Sequence, residues 1–452
     1  MESNKATRIN LFSLATPQMR AFHITWLAFF VCFFAWFAVA PLMPVIKSEF
    51  NLTPGQIANI NIAAVGITVL ARLIIGPLCD KYGPRRAYTA LLVVGSVPVI
   101  GIAFANSYET FLVMRLAIGA IGASFVITQF HTSVMFAPNV VGTANATVGG
   151  WGNAGGGVTQ SVMPYILVGI VGLGFSQSLG WRISMIVPGV MMLLVALLYW
   201  RYTQDTPEGD IVDLRARGIT VSSGKAGGWA VFKQAMSNYR VWMLAVTYGA
   251  CFGVEIFIHA VAASYYVDRF GLTLTSAGLA AGSFGLLALF ARALGGIASD
   301  RAAGKFGLTG RTWLLFGLMV GEGVGLLAFS TMGTIAGAVA AMLFFGLFTH
   351  MACGSTYALV PFIDRKALGG VAGIIGAGGN IGAVAAGFLL KYTGNLLDAL
   401  YYLGWAVLFS AVCAAAIRFS VKHRSAEQML YDEALAKRAM LDAEPVAIAQ
   451  AA

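Results

Sequence analysis

Apolar stretches of about 20 residues or more recur along the whole chain, each long enough to cross a hydrocarbon core of ~30 Å. Twelve spans are predicted, in windows 23–46, 57–79, 87–106, 110–136, 142–172, 181–203, 239–268, 273–299, 312–333, 335–361, 367–391 and 397–420. Only 11% of the residues are charged and 58% are hydrophobic, against roughly 25% charged in a soluble domain. An all-α, multi-pass membrane protein follows, with no sizeable soluble domain. The opening residues 1–22 are polar and lead into a run too long for a cleavable signal peptide.

The charges sort by side. Lys81, Arg85 and Arg86, then Arg201, Arg215, Arg217, Lys225 and Lys233, then Arg301, Lys305 and Arg311, then Arg365 and Lys366 fall in the even-to-odd loops. The opposite loops carry Lys47, Arg269 and Lys391, with Arg182 at a span edge. The positive-inside rule then puts both termini in the cytoplasm. The net charge of +10 is explained by this topology and does not point to nucleic acid. The longest polar loop, 204–238, divides the chain into six-span bundles at 23–203 and 239–420. A cytoplasmic N-terminal segment (1–22) and tail (421–452) flank them, and 425–441 reads as a short helix.

The two halves repeat. Arg72 matches Arg292, Gly76 matches Gly296 and Asp80 matches Asp300, all 220 residues apart; Gly119 matches Gly346 and Asn153 matches Asn380 at 227. Such duplication is the mark of transporters that bind substrate between two related halves. Arg72 and Arg292 lie deep in spans two and eight, where an arginine costs at least ~2.5 kcal/mol on insertion scales and faces a bundle interior. No carboxylate lies near either arginine in its own span. A bound anion is the expected partner, a buried ion pair the alternative. A guanidinium offers a planar fork of donors suited to a planar oxyanion.

Two glycine–asparagine patches repeat as well. "GGWGNAGGG" holds Gly149, Gly150, Gly152, Gly155, Gly156 and Gly157 around Asn153; "GAGGNIGA" holds Gly376, Gly378, Gly379 and Gly382 around Asn380. Glycine lets helix backbones approach closely, at about 1 kcal/mol per residue against alanine. So dense a run suggests helices meant to bend or slide as well as pack. "GPLCDKYGPRR" after span two, with Gly76, Asp80, Lys81, Gly83, Arg85 and Arg86, reads as a loop latch with a looser copy at Asp300 and Arg301.

These motifs resemble the nitrate–nitrite porter family of the major facilitator superfamily over essentially the whole length. The opening "MRAFHITWLAFFVCFFAWFAVAPLMP" is most similar to its high-affinity, proton-coupled branch. The resemblance implies two six-helix halves related by a pseudo-twofold axis. It also implies nitrate, and nitrite with it, held by Arg72, Arg292, Phe125, Asn153, Tyr248, Phe252 and Asn380, with the two glycine patches as the family's paired signature.

Transport of nitrate into an inside-negative cell needs a driving ion or an exchanged anion. Tyr248, Phe252, Glu255 and His259 are spaced by four, three and four and share one helical face. Glu255, with His259, is the candidate proton carrier; a structural partner for an arginine on another span is the alternative. His131 and His350 read as structural. Glu322, in a helix that commonly lies outside the pore in this superfamily, reads as structural or interfacial. Proton symport is favoured over nitrate/nitrite antiport. A nitrate sensor would need an output domain larger than 204–238 or the tail. An enzyme or ATP-driven pump would need a metal cluster, a nucleophile–base pair or a phosphate loop; "GGWGNAGGG" lies within a span and follows no strand, so it is not a nucleotide fingerprint. No cofactor and no metal are expected. The five cysteines have no ligand-like spacing and read as small buried hydrophobes. One chain carries both halves of the site, so a monomer in the bilayer is the expected working unit.

Overall fold

A computed structural model describes residues 5–136, 141–218, 229–364, 368–426 and 429. The helices are α1 (Pro17–Phe37), α2 (Met43–Phe50), α3 (Pro54–Tyr82), α4 (Pro84–Gly101), α5 (Tyr108–Ile118), α6 (Ser124–Met135), α7 (Val141–Gly172) and α8 (Gln177–Tyr202). After them come the short α9 (Ile211–Ala216) and α10 (Trp229–Ser237) of the linker. The second half holds α11 (Tyr239–Phe270), α12 (Leu274–Leu286), α13 (Ala288–Thr331), α14 (Ile335–Leu359), α15 (Leu368–Thr393) and α16 (Leu396–Ala416). They make twelve crossings in two six-helix halves. The first crossing is α1 and α2 joined at Pro41, and the fourth is α5 and α6 joined by a 3₁₀ turn over Gly119–Ala123. The tail helix expected at 425–441 lies almost wholly outside the described residues.

Local chemistry sets the helix starts. Thr16, Thr53, Ser107, Thr273 and Thr334 each accept a backbone N–H at an N-terminus, and Pro17, Pro54 and Pro84 occupy first-turn positions. Large apolar side chains such as Val94, Phe104, Leu197 and Phe409 stand exposed on the outer surface, where lipid would meet them. Four of the five cysteines are buried and unbridged.

The two expected loop latches are largely helical. α3 continues to Tyr82, so Gly76 and Lys81 belong to a helix, and the turn is Gly83 alone, at φ +87°. That positive φ suits glycine, and a Cβ there would also overlap the Asp205 carboxylate. In the second half α13 runs on through Asp300 and Arg301, bending only at Gly307 (φ +63°). The Gly76 and Asp300 motifs therefore close no long loop; single left-handed glycines suffice to turn the chain.

Arg85 of the first motif ties α4 to the linker. Arg85 pairs with Asp210, and its side chain also donates to the Trp200 carbonyl at 2.8 and 2.5 Å. Asp205 accepts from the backbone N–H groups of Arg85 (2.7 Å) and Ile211 (2.9 Å). The counterpart in the second half is Asp300 with Arg311, at 2.7 Å. Burial pushes the Asp205 carboxyl up from 3.8 to about 6, against the opposing pull of the two backbone donors. The folded protein therefore holds a proton on Asp205 that the unfolded chain has released between those pH values. Stability from this site is full below about pH 4 and falls as pH rises toward 6. Asp205→Asn should flatten melting temperature against pH across that window, a difference on the order of 1–3 kcal/mol between its ends; parallel curves for the two proteins would refute it.

The halves touch in the part of the bundle away from the linker. α7 runs from the linker face to the opposite one, and its distal part meets α12. A Cβ on Gly157 would stand 2.6 Å from the Leu286 nitrogen, and one on Gly282 would stand 2.8 Å from the Gly157 carbonyl oxygen. Gln160 donates to the His259 carbonyl at 2.5 Å, and Lys47 pairs with Asp268 at 2.9 Å across the halves.

Candidate anion-binding site

α3 and α13 each deliver one arginine to a row of rings. The Arg72 guanidinium carbon lies 5.8 Å from the Phe125 ring, and that of Arg292 lies 5.6 Å from the Phe252 ring. Between them Phe125 meets Tyr357 (6.0 Å), Tyr357 meets Tyr248 (5.1 Å) and Tyr248 stacks on Phe252 (5.0 Å, 7° between planes). The order is Arg72, Phe125, Tyr357, Tyr248, Phe252, Arg292. Five of these six residues are sequence candidates. Tyr357, from α14, is the addition; its signal was that it is the one tyrosine in its span.

The glycine patches make this approach possible. α15 crosses α11 so closely that Cβ atoms on Gly378 and Gly382 would run into the backbone at Ala245 and Gly249. Gly379 leaves room for the Tyr248 and Phe252 rings, at 2.8 and 2.6 Å from where its Cβ would be. Gly376 is beside Arg72, which donates to its carbonyl at 3.1 Å. On α7, Gly152 and Gly155 pack on Phe29 and the Phe30 carbonyl of α1, whereas Gly150, Gly156 and Gly157 face α13, His259 and α12. Gly149 sits more loosely, with Gln129 and Phe125 side chains 3.6 and 3.9 Å from its Cβ position. Close packing on two faces thus accounts for most of the glycines. Asn153 and Asn380 are fully buried, each with its amide oxygen unbonded; the Asn380 amide donates to the Gly376 carbonyl at 3.4 Å.

The two arginines differ. Arg72 donates only to backbone carbonyls, of Gly376 and of Gly122 (3.4 Å), and has no carboxylate partner among the described residues. Arg292 is paired. Its guanidinium donates to Glu255 at 2.5 Å, with the carboxylate almost wholly buried. The expectation of two unmatched arginines therefore holds for Arg72 and is corrected for Arg292, because the carboxylate comes from α11, a neighbouring span. Cys353 Sγ and His350 Nδ1 lie 3.6 and 3.5 Å from the same Glu255 oxygen. His350 thus joins the cluster, although its position had suggested a structural histidine. His131 is structural, between Thr25, Tyr199 and the Gln204 carbonyl. His259 packs between Phe37 (4.9 Å) and Phe284 (5.5 Å) against Gly156, with neither ring nitrogen bonded.

A third intramembrane arginine escaped the sequence reading. Arg115 is buried and donates at 2.5 Å to the Trp36 carbonyl, where α1 is about to break before Pro41 and its last carbonyls lack helical partners. It braces a helix end.

The Major Facilitator Superfamily model matches residues 25–387. The chain belongs to that superfamily. Within it the chain falls among the nitrate–nitrite porters. It is 42% identical to "High affinity nitrate transporter 2.5" of Arabidopsis thaliana over 84% of this chain and 75% of that protein. It is 30% identical to "Nitrate/nitrite transporter NrtP" of Picosynechococcus over 81% and 84%. The facilitator fold is also seen in the crystal structure of a bacterial homologue of the human lysosomal transporter Spinster, in an inward-facing, unoccupied conformation. That structure superposes with a TM-score of 0.66 at 14% identity, covering 89% of this chain and 96% of the other. This facilitator is a transporter rather than an enzyme. Arg72 and Arg292 each keep an Nε–H with no partner. A small planar oxyanion could be received by such forks edge-on while the rings cover its faces.

Proposed function

We propose that this facilitator carries nitrate, and nitrite with it, into the cell across the cytoplasmic membrane by alternating access, with a proton as the co-transported ion. Its termini and linker face the cytoplasm in this reading. Arg72, Arg292, Phe125, Tyr248, Phe252, Asn153 and Asn380 form the anion site, and Tyr357 joins them. The supporting observation is the Arg292–Glu255 pair. Nitrate and the Glu255 carboxylate are alternative partners for one guanidinium. When the anion takes Arg292, the released carboxylate is left buried without its counter-charge, and a proton from the solution replaces it. One anion and one proton then cross together, and the C-terminal half returns with the ion pair re-formed. Relatives that carry nitrate or nitrite in their names support the choice of anion.

Nitrate uptake into proteoliposomes tests the whole reading. Vesicles with no internal anion should accumulate nitrate only under an inward proton gradient. Uptake that instead requires internal nitrite and ignores the proton gradient would make the protein an exchanger.

Alternating access carries its own expectation. The distal contact between halves must part when the site opens on that side. Ser161 Cβ stands 3.4 Å from where a Cβ of Gly282 would be, near the ~3.8 Å of a disulfide. Because a Cβ at position 282 crowds the Gly157 carbonyl, the reduced Ser161→Cys, Gly282→Cys variant sets the baseline; oxidation should lower its uptake at least about tenfold, roughly 1.4 kcal/mol or more, and reduction should restore that baseline. Full uptake by the cross-linked protein would contradict the scheme.

A further inference from the structure

One buried acid takes no part in the site described so far. Glu322 lies in the second part of α13 and is fully buried. Neither carboxyl oxygen has a hydrogen-bond partner. The elements around it are apolar or weakly polar. α14 presents Thr349, whose hydroxyl donates to the Phe345 carbonyl at 2.9 Å instead. α11 presents Cys251 as the neighbouring titratable group, with Glu255 further along the same helix. α16 brings Leu408 and the Gly404 backbone against the adjoining Gly323. No cation faces Glu322 among these groups.

An ionised carboxylate in such a place would need a counter-charge or several donors, and lacking them would cost several kcal/mol. Ionisable groups kept inside a membrane protein interior are a mark of ion and proton pathways. The position of Glu322 relative to the anion site is specific. Thr349 immediately precedes His350, which reaches Glu255. Cys251 is one helical turn before Glu255 and adjoins Cys353, which also reaches Glu255. The polar neighbours of Glu322 on α14 and α11 therefore each lie within one helical turn of a group that reaches the acid paired with Arg292.

We propose that Glu322 is a second proton-binding site, a neutral buried carboxyl that exchanges its proton with the Glu255 cluster during transport. Glu322 would then store the proton while Glu255 is engaged with Arg292, pass it to Glu255 when nitrate frees that carboxylate, and take up a replacement from the solution, so that the net uptake stays one proton per nitrate. The proposal rests on the proton-symport reading above. It replaces the view of Glu322 as a structural residue of an outlying helix.

Infrared difference spectroscopy on the full-length protein in lipid nanodiscs is the test, at pH 8 so that exposed acids are ionised. The expected result is a neutral-carboxyl C=O band in the wild type and in Glu255→Gln, missing in Glu322→Gln, and perturbed when nitrate is added to the wild type. A wild-type spectrum with no such band, or one that nitrate leaves untouched, overturns the proposal without needing any variant to fold. In proteoliposomes Glu322→Gln should accumulate about tenfold less nitrate under a proton gradient. A purely structural role would be met by the isosteric amide, so wild-type accumulation by Glu322→Gln also overturns it. The two readings fail separately. If Glu255→Gln loses proton-driven accumulation and Glu322→Gln keeps it, only the second site falls. If the wild type ignores the proton gradient, symport falls, and with it the transport role given to Glu322.

Discussion

Arg72→Lys and Arg292→Lys should each cut nitrate uptake about 100-fold, a loss of roughly 2.7 kcal/mol. The magnitude follows from geometry rather than charge. Lysine keeps the positive charge but places it at a point, and loses the planar fork that can meet two oxygens of a trigonal anion at once. A hydrogen bond to a charged group contributes about 1.5–3 kcal/mol, so forfeiting one well-placed bond of the fork accounts for the change. Arg72 also holds the Gly376 carbonyl of the other half and the Gly122 carbonyl of its own. Its lysine variant should therefore suffer in turnover as well as affinity, whereas Arg292→Lys should mainly raise KM. Uptake assays with a melting-temperature control separate these effects from misfolding. Near-normal uptake by either folded variant would remove the anion clamp.

How far the chain could be read in advance depended on the kind of physics involved. Hydropathy and loop charge act over 20 residues at a time and give the twelve crossings directly. Duplication with a constant offset gives the paired arginines. What lay beyond reach was local or between helices. The breaks at Pro41 and at Gly119–Ala123 leave hydropathy unchanged and so do not interrupt the apolar pattern. The Asp300 region is polar enough to read as a loop, yet helix hydrogen bonding persists through it and only Gly307 turns the chain.

The candidate site shows the same division. A helical repeat puts Tyr248, Phe252 and Glu255 on one face of α11, but says nothing about which helix that face meets. Arg292 and His350 arrive from α13 and α14, 37 and 95 residues away, so the Glu255 cluster is a product of packing. Tyr357 escaped for a related reason. The position in the first half that matches it by the 227-residue offset is Phe130, whereas Phe125 matches Ala352, so the repeat that revealed the arginines does not point to this ring. Asymmetry between the halves is where substrate chemistry departs from the duplicated scaffold.

Glu255→Gln should abolish proton-driven accumulation of nitrate while leaving exchange of nitrate for nitrite in place. Exchange is electrically silent and needs only that Arg292 be vacated and refilled by anions. Accumulation against an inside-negative potential must overcome ~2.3 kcal/mol per charge per 100 mV, about a 50-fold bias, and without a protonatable group at Arg292 nothing offsets it. The variant has a second signature. Removing one partner of a buried pair typically costs 3–5 kcal/mol because the other charge is stranded. Arg292 in Glu255→Gln is such a stranded charge, and nitrate is the right size and sign to relieve it. Nitrate should therefore raise the melting temperature of Glu255→Gln more than that of the wild type, even as the variant's stability without anion falls. If the carboxylate were only a brace for Arg292, the variant would be destabilised with no added benefit from nitrate, and accumulation would fall in step with exchange. An unchanged pH dependence of accumulation would exclude Glu255 as the obligate proton site. The enlarged nitrate shift, seen together with intact exchange, is the result that competition between carboxylate and anion for one guanidinium requires.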